Sequence, residues 1–188
     1  MTEESLRLIV QGLNGAGVKY LVVGGLAVNA HGYVRNTKDI DLLLHFDTSN
    51  LLAGLKVLKD LGYQSKAPVP IEDFADPAKR ASWIGEKHML VFGLRSDLHR
   101  ETDVDIFVND PLGFDDAYAR VYYQPLDNPK ETEILGYESN EEGELTDNEG
   151  VVNVPFCSYE DLVKLKEQAG RPRDIDDLRR LRISRGEE

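Results

Sequence analysis

The spacing of apolar residues along the chain changes between a helical and an extended pattern. Apolar residues three or four positions apart predict helices at 5–14, 26–32, 49–62, 112–120, 158–170 and 174–183. Runs rich in β-branched residues predict strands at 19–23, 39–46, 88–94 and 102–108, with weaker candidates at 121–124, 132–137 and 151–155. This order predicts a single α/β domain over 1–188, with its core at about 18–125 and a C-terminal helical pair at about 158–183.

Three stretches carry more specific expectations. Residues 68–87 combine prolines with acidic clusters and predict a long loop or lid, with a short helical piece at 77–83. Residues 127–149 contain nine acidic residues and one lysine, which is typical of a solvated acidic loop; a docking site for a basic protein partner is the alternative. The last helix is expected to be amphipathic, with an apolar side formed by Ile175, Leu178, Leu181 and Ile183.

The overall charge narrows the range of partners. Among 188 residues, 34 Asp and Glu stand against 22 Lys and Arg, which gives a formal net charge of −12. This charge argues against a protein that coats duplex nucleic acid, because such a protein needs a basic surface. It is compatible with a small anionic ligand that metal ions or a helix N-terminus hold locally.

Cysteine usage and hydropathy indicate the compartment. Cys157 is the single cysteine, which excludes an internal disulfide framework and a multi-cysteine zinc site and is typical of a reducing compartment. The apolar runs are shorter than the roughly 20 residues that cross a bilayer, and the first residues are acidic where a secretory signal is basic. We therefore expect a cytoplasmic protein that does not span a membrane.

The segment 21–44 carries the strongest indication of chemistry. A strand leads into Gly24 and Gly25, and a helix begins there, so that the backbone can approach a ligand and the free N–H groups can bind phosphate. The next strand carries Asp39 and Asp41, whose spacing places both carboxylates on one face while Ile40 points to the core. Two neighbouring carboxylates need a cation between them, and Mg²⁺ is the usual one where phosphates are also held.

A third carboxylate is expected on the strand at 102–108. An acid-x-acid triplet alone means little in so acidic a chain. The information lies in the order of strand, Gly-Gly turn, helix, Asp-x-Asp strand and a later strand with an acid between apolar neighbours. Asp105 fits the last position, and Asp103 is the competing candidate. With the Asp-x-Asp pair, it would complete a two-metal cluster for in-line displacement at phosphorus.

On these residues the sequence resembles the DNA polymerase β-like nucleotidyltransferase superfamily, in particular its small stand-alone, toxin-like members. The resemblance extends over about 18–180. Its first pattern comprises Gly24, Gly25, Ala27, His31, Gly32, Arg35, Thr37, Asp39 and Asp41. Asp105 follows on the later strand, and the C-terminal pattern comprises Asp161, Leu162, Lys166, Gly170, Arg171 and Asp174.

The resemblance implies a mixed β-sheet flanked by helices and a defined reaction. Members of the superfamily transfer a nucleoside monophosphate from an NTP to an acceptor, using Mg²⁺ or Mn²⁺. Asp39, Asp41 and Asp105 are then the catalytic metal ligands, with Asp105 also a candidate base. The nucleotide-binding residues implied are Gly24, Gly25, Arg35, Thr37 and Lys166.

Other interpretations of these residues stay open. Arg35 and Thr37 are equally compatible with ordering the loop before the strand, and Lys166 with an exposed helix face. For the whole chain, the alternatives are a catalytically silent nucleotide- or partner-binding module and the toxin of a toxin–antitoxin pair. All three acidic positions are occupied, which favours an active enzyme, and the net charge of −12 argues against tRNA as the acceptor.

Overall fold

The computed structural model describes residues 1–126 and 151–187. Its helices are α1 (Glu3–Gly15), α2 (Gly24–Ala30), α3 (Thr48–Asp60), α4 (Pro77–Lys87), α5 (Phe114–Tyr118), α6 (Tyr159–Ala169) and α7 (Pro172–Ser184), with a 3₁₀ helix at Ile71–Ala75. Its strands are β1 (Tyr20–Val23), β2 (Asp39–Leu44), β3 (Tyr63–Ser65), β4 (Val91–Ser96), β5 (Asp103–Phe107), β6 (Tyr122–Pro125) and β7 (Asn153–Phe156). None of the helices in these ranges has the length and apolar character needed to cross a membrane.

The strands of the described residues form one mixed sheet in the order β3-β4-β5-β2-β1-β7-β6. The pairs β2–β5 and β1–β7 are parallel, and the other neighbours are antiparallel. The mixed sheet and its flanking helices confirm the predicted fold class. Strand β2 lies at the centre, so that β1 and β5 pair with it on either side.

The two faces of β2 and β5 have different surroundings. Ile40 and Leu42 of β2 and Ile106 of β5 are fully buried in the core. Because successive side chains of a strand point to opposite faces, the aspartates of both strands share the other face, where they are only partly buried. The sheet thus supports the polar face with a rigid apolar layer.

The prediction of a loop or lid at 68–87 is wrong. This stretch contains the 3₁₀ helix and the eleven-residue α4, and it contributes to the core. Trp83 stacks on Phe92 of β4 with ring centroids 5.2 Å apart. Pro77 occupies the first turn of α4, where its missing N–H costs nothing, and the Asp76 side chain accepts hydrogen bonds from the N–H groups that follow. The proline and the acid that suggested a loop therefore begin a helix.

Other boundaries differ by short lengths. Strand β3 was not predicted, because three residues are too few to show an alternation. Strand β4 is Val91–Ser96 rather than the predicted 88–94, and α5 is limited to Phe114–Tyr118. The predicted acidic loop at 127–149 and strand at 132–137 lie outside the described residues.

The C-terminal helices agree with the predicted pair, except for the face that α7 buries. The Ser158 hydroxyl accepts a hydrogen bond from the Asp161 N–H at the start of α6. On α7, Ile175 and Ile183 are 62% and 51% exposed, so the predicted apolar side is wrong for both. Leu181 is buried as predicted. The helix also buries Asp174 and Asp177, because basic side chains elsewhere in the fold pair with them.

Candidate active site

The aspartates of β2 and β5 lie beside one another on the open face of the sheet. In the parallel pairing of the two strands, Asp39 is opposite Asp103 and Asp41 is opposite Asp105. Paired residues on adjacent strands are about 4.8 Å apart, and their side chains point the same way. The structure therefore brings Asp39, Asp41 and Asp105 to one place, and it brings Asp103 to the same edge.

The carboxyl group of Asp41 is in an unfavourable electrostatic position. Burial, together with the negative charges of Asp105 and Asp39, raises the pKa of Asp41 to about 6. Two contacts lower this pKa: the Gly25 N–H, which lies 3.4 Å from Oδ2, and the positive charge of Lys166. They do not bring the pKa of Asp41 back to its ordinary value. A carboxylate held among other carboxylates in this way is suited to binding a cation.

The two glycines of α2 are required by side chains of the protein itself. Gly24 has a φ of +63°, and a Cβ atom there would lie 1.9 Å from Oδ2 of Asp41. A Cβ atom on Gly25 would lie 2.5 Å from Oγ1 of Thr37 and 3.3 Å from a guanidinium nitrogen of Arg35. The Gly-Gly turn thus adjoins the carboxylates on one side and the loop before β2 on the other.

Asp105 and Asp103 share a lysine that the sequence did not indicate. The Nζ atom of Lys66 lies 2.9 Å from Oδ2 of Asp103 and 3.5 Å from Oδ1 of Asp105. Burial raises the pKa of Asp105 and the charge of Lys66 lowers it, with a net increase. The lysine follows the three-residue strand β3, which was not predicted, so no sequence pattern placed it here.

Arg35 and Lys166 converge on α7. The guanidinium of Arg35 donates two hydrogen bonds to the Asp177 carboxylate, at 2.7 and 2.9 Å. Lys166 Nζ donates to Asp174 at 2.9 Å and to Asp177 at 2.7 Å. Both of these aspartates are buried, so the charges of the two basic residues are already compensated within the protein.

The remaining predicted residues have mainly local contacts. The Thr37 hydroxyl is 3.5 Å from the Asp39 carbonyl oxygen, so it lies between the Gly-Gly turn and the start of β2. The His31 ring bonds the Cys157 carbonyl oxygen at 2.9 Å, which agrees with a structural position at the end of α2. Arg171 pairs with Asp174 at the start of α7.

The donor atoms fit a divalent cation at two of the three predicted ligands. Asp39 and Asp41 offer carboxylate oxygens, which Mg²⁺ and Mn²⁺ prefer, and burial together with neighbouring carboxylates raises the pKa of Asp41. Within residues 1–126 and 151–187, no group of three or more His, Cys, Asp or Glu side chains is arranged to hold a metal ion. Asp105 pairs with Lys66 instead.

A separate cavity of about 690 Å³ lies at the other end of β2 and β5. It is lined by residues that follow the two strands, including Phe46, Asp47 and Asn109, whereas the aspartates lie at the beginning of each strand. The candidate active site is therefore an open face of the sheet bordered by α2 and α7 rather than this cavity.

The comparisons with known proteins agree with this architecture. Neither a protein-family model nor a curated protein matches the sequence. Among solved structures, the lincosamide antibiotic adenylyltransferase LnuA, bound to lincomycin, matches with a TM-score of 0.51 and 19% sequence identity over 97% of each chain. At this identity the likeness shows the fold alone: the chain has the polymerase β-like nucleotidyltransferase fold.

Proposed function

We propose that the protein transfers a nucleoside monophosphate from an NTP to an acceptor hydroxyl, with Mg²⁺ or Mn²⁺ as cofactor. The observation that carries the proposal is the register of β2 and β5, which places Asp39, Asp41 and Asp105 together on an open sheet face. A solved structure with the same fold is an adenylyltransferase, which supports this reaction class. All three acidic positions are occupied, which argues against a silent module.

The three carboxylates would have two roles in the proposed reaction. Asp39 and Asp41 would hold the cation, which neutralises charge on the triphosphate and on the leaving pyrophosphate. Asp105 would accept the proton of the acceptor hydroxyl, and its raised pKa makes it a stronger base than an exposed aspartate. The acceptor oxygen forms a bond to the α-phosphorus as the bond from this phosphorus to the bridging oxygen breaks, and pyrophosphate leaves.

The basic residues beside the Gly-Gly turn would bind the phosphates. Arg35 lies against Gly25, and Lys166 is close enough to Asp41 to lower its pKa. Asp177 holds both side chains in place, so that little conformational freedom is lost when an anion arrives. Thr37 would fix the loop that carries Arg35 in this arrangement. Because Asp174 and Asp177 already compensate both charges, these residues would offer positioned N–H donors to the phosphates rather than net positive charge.

Asp105 and Asp103 provide a matched pair for testing the proposal. Asp105→Ala is expected to spare most NTP affinity and to lower the transfer rate by on the order of 100-fold or more, because the base is lost. Asp103→Ala, two positions away on the same face, is expected to lower it less than about tenfold, because Asp105 remains. The measurement is incorporation of α-phosphate label from each NTP into a mixture of small molecules, RNA and proteins.

Two results would contradict the proposal in different ways. If Asp103→Ala is the inactive variant and Asp105→Ala is normal, the roles on β5 are assigned to the wrong residue. If wild type binds nucleotide and transfers label to nothing in the mixture, the nucleotide-binding module is the better description.

A further inference from the structure

Lys66 reaches the carboxylates from a neighbouring edge of the sheet. It directly follows β3, and its backbone N–H donates to the Gly93 carbonyl oxygen at 2.9 Å, which extends the pairing of β3 with β4. Its side chain then crosses β4 to reach β5, where Nζ contacts Asp103 and Asp105. The side chain of a residue next to an outer strand thus reaches Asp105, the proposed base.

Gly93 makes this crossing possible. It lies opposite Asp105 in the antiparallel pairing of β4 with β5. A Cβ atom on Gly93 would lie 2.9 Å from Cδ of Lys66 and 3.2 Å from Oδ1 of Asp105. Gly93 is not among the glycines with a positive φ, so its backbone does not demand glycine. The missing side chain instead leaves room for the lysine beside the carboxylate.

The ammonium group is held there by charge. Among the described residues, Lys66 is the basic side chain that forms ion pairs with Asp103 and Asp105. A lysine ammonium is positively charged at neutral pH, and here it lies beside two carboxylates. A second divalent cation bridging Asp105 to β2 would have to displace this charge or lie beside it, and both are unfavourable.

We propose that Lys66 is the resident cation of Asp105, so that the site takes one divalent ion, at Asp39 and Asp41, rather than two. In this arrangement Lys66 is a positioning residue: it holds the Asp105 carboxylate in place and leaves its second oxygen for the acceptor hydroxyl. The inference rests on the proposed function for the role of Asp105, but the number of bound ions can be measured without any reaction.

The test counts Mn²⁺ ions on the full-length protein by electron paramagnetic resonance, with Mn²⁺ alone and with inorganic pyrophosphate. Wild type is expected to bind one ion at the site. Lys66→Met, which keeps the length of the side chain and removes its charge, is expected to bind a second ion or to bind Mn²⁺ about tenfold more tightly. Lys66→Arg restores a cation and is expected to behave like wild type.

Two further variants separate this effect from general changes in charge or folding. Gly93→Ala keeps Lys66 but displaces it, and it is expected to gain the second ion as Lys66→Met does. Lys56→Met removes a surface lysine that pairs with Asp60 on α3, and it is expected to leave Mn²⁺ binding unchanged. Thermal unfolding of each variant shows whether it is folded.

The inference is overturned if wild type binds two ions with similar affinity, or if Lys66→Met and Gly93→Ala both match wild type in number and affinity. Failure of the proposed function has a different signature. If Asp39→Asn with Asp41→Asn still binds the ion, or if no variant binds Mn²⁺ at all, the metal assignment to β2 is wrong, and this inference falls with it. If wild-type protein is active and binds two ions, this inference is wrong and the proposed function is unaffected.

Discussion

Replacing Asp41 by asparagine is expected to stabilise the metal-free protein. In the folded chain the pKa of Asp41 is about 6, against an ordinary value of 3.8. At about 1.4 kcal/mol per pH unit, this difference corresponds to about 3 kcal/mol of unfolding free energy lost at neutral pH. Asparagine carries no charge, and its oxygen can still accept the Gly25 hydrogen bond. We expect Asp41→Asn to raise the free energy of unfolding by roughly 1–3 kcal/mol at neutral pH.

The pH dependence gives this prediction a definite sign. Because the pKa is higher in the folded state, the folded protein binds more protons between about pH 4 and 6 than the unfolded chain does. The contribution of Asp41 to stability is therefore intact below pH 4 and is lost as the pH rises through 6. The difference between Asp41→Asn and wild type should be small at pH 4 and largest above pH 7.

Urea unfolding in the presence of a chelator measures this difference. The single tryptophan, Trp83, stacks on Phe92 in the core and reports loss of packing through its fluorescence. Asp60→Asn, at an exposed ion pair on α3, is the control and is expected to change stability by less than about 0.5 kcal/mol. A variant that is no more stable than wild type at pH 8, or a gain that is equal at pH 4 and pH 8, would refute the reasoning.

Two other substitutions test the surroundings of the site. Gly24→Ala is expected to destabilise the protein by ~2 kcal/mol and to weaken Mn²⁺ binding, because alanine is disfavoured at a φ of +63° and its Cβ atom would collide with Asp41; unchanged unfolding and metal titrations would contradict this. Asp177→Ala leaves the buried Lys166 and the guanidinium of Arg35 without their shared carboxylate and is expected to cost about 3 kcal/mol. Urea unfolding of this variant with an unchanged midpoint would show that the pairs contribute little.

The part of the site that could be predicted depends on local geometry. Two aspartates at alternate positions of a strand share a face whatever the strand pairs with, and a Gly-Gly turn before a short helix is a local feature too. Asp105 could be chosen over Asp103 only from its apolar neighbours. Its place opposite Asp41 is a matter of strand register, which no local pattern determines.

The features that were missed depend on contacts between distant segments. Lys66 directly follows the three-residue strand β3 at the edge of the sheet. Its position beside Asp105 depends on the space that Gly93 leaves on the neighbouring strand β4. The buried face of α7 carries Asp177 because Arg35, 142 positions earlier, pairs with it. A helical pattern based on hydrophobicity alone therefore includes the exposed Ile175 and Ile183 and omits the buried aspartates, since burial here also follows charge compensation.

The fate of the individual phosphates tests the central claim most directly. Wild-type protein is incubated with Mg²⁺, an acceptor mixture and each NTP in turn, labelled on the α-phosphate in one sample and on the γ-phosphate in another. Our account predicts that α-label becomes attached to an acceptor while γ-label is released as pyrophosphate, and that Asp39→Asn with Asp41→Asn abolishes both. Transfer of γ-label to the acceptor, or release of γ-label as inorganic phosphate without transfer of α-label, would contradict it.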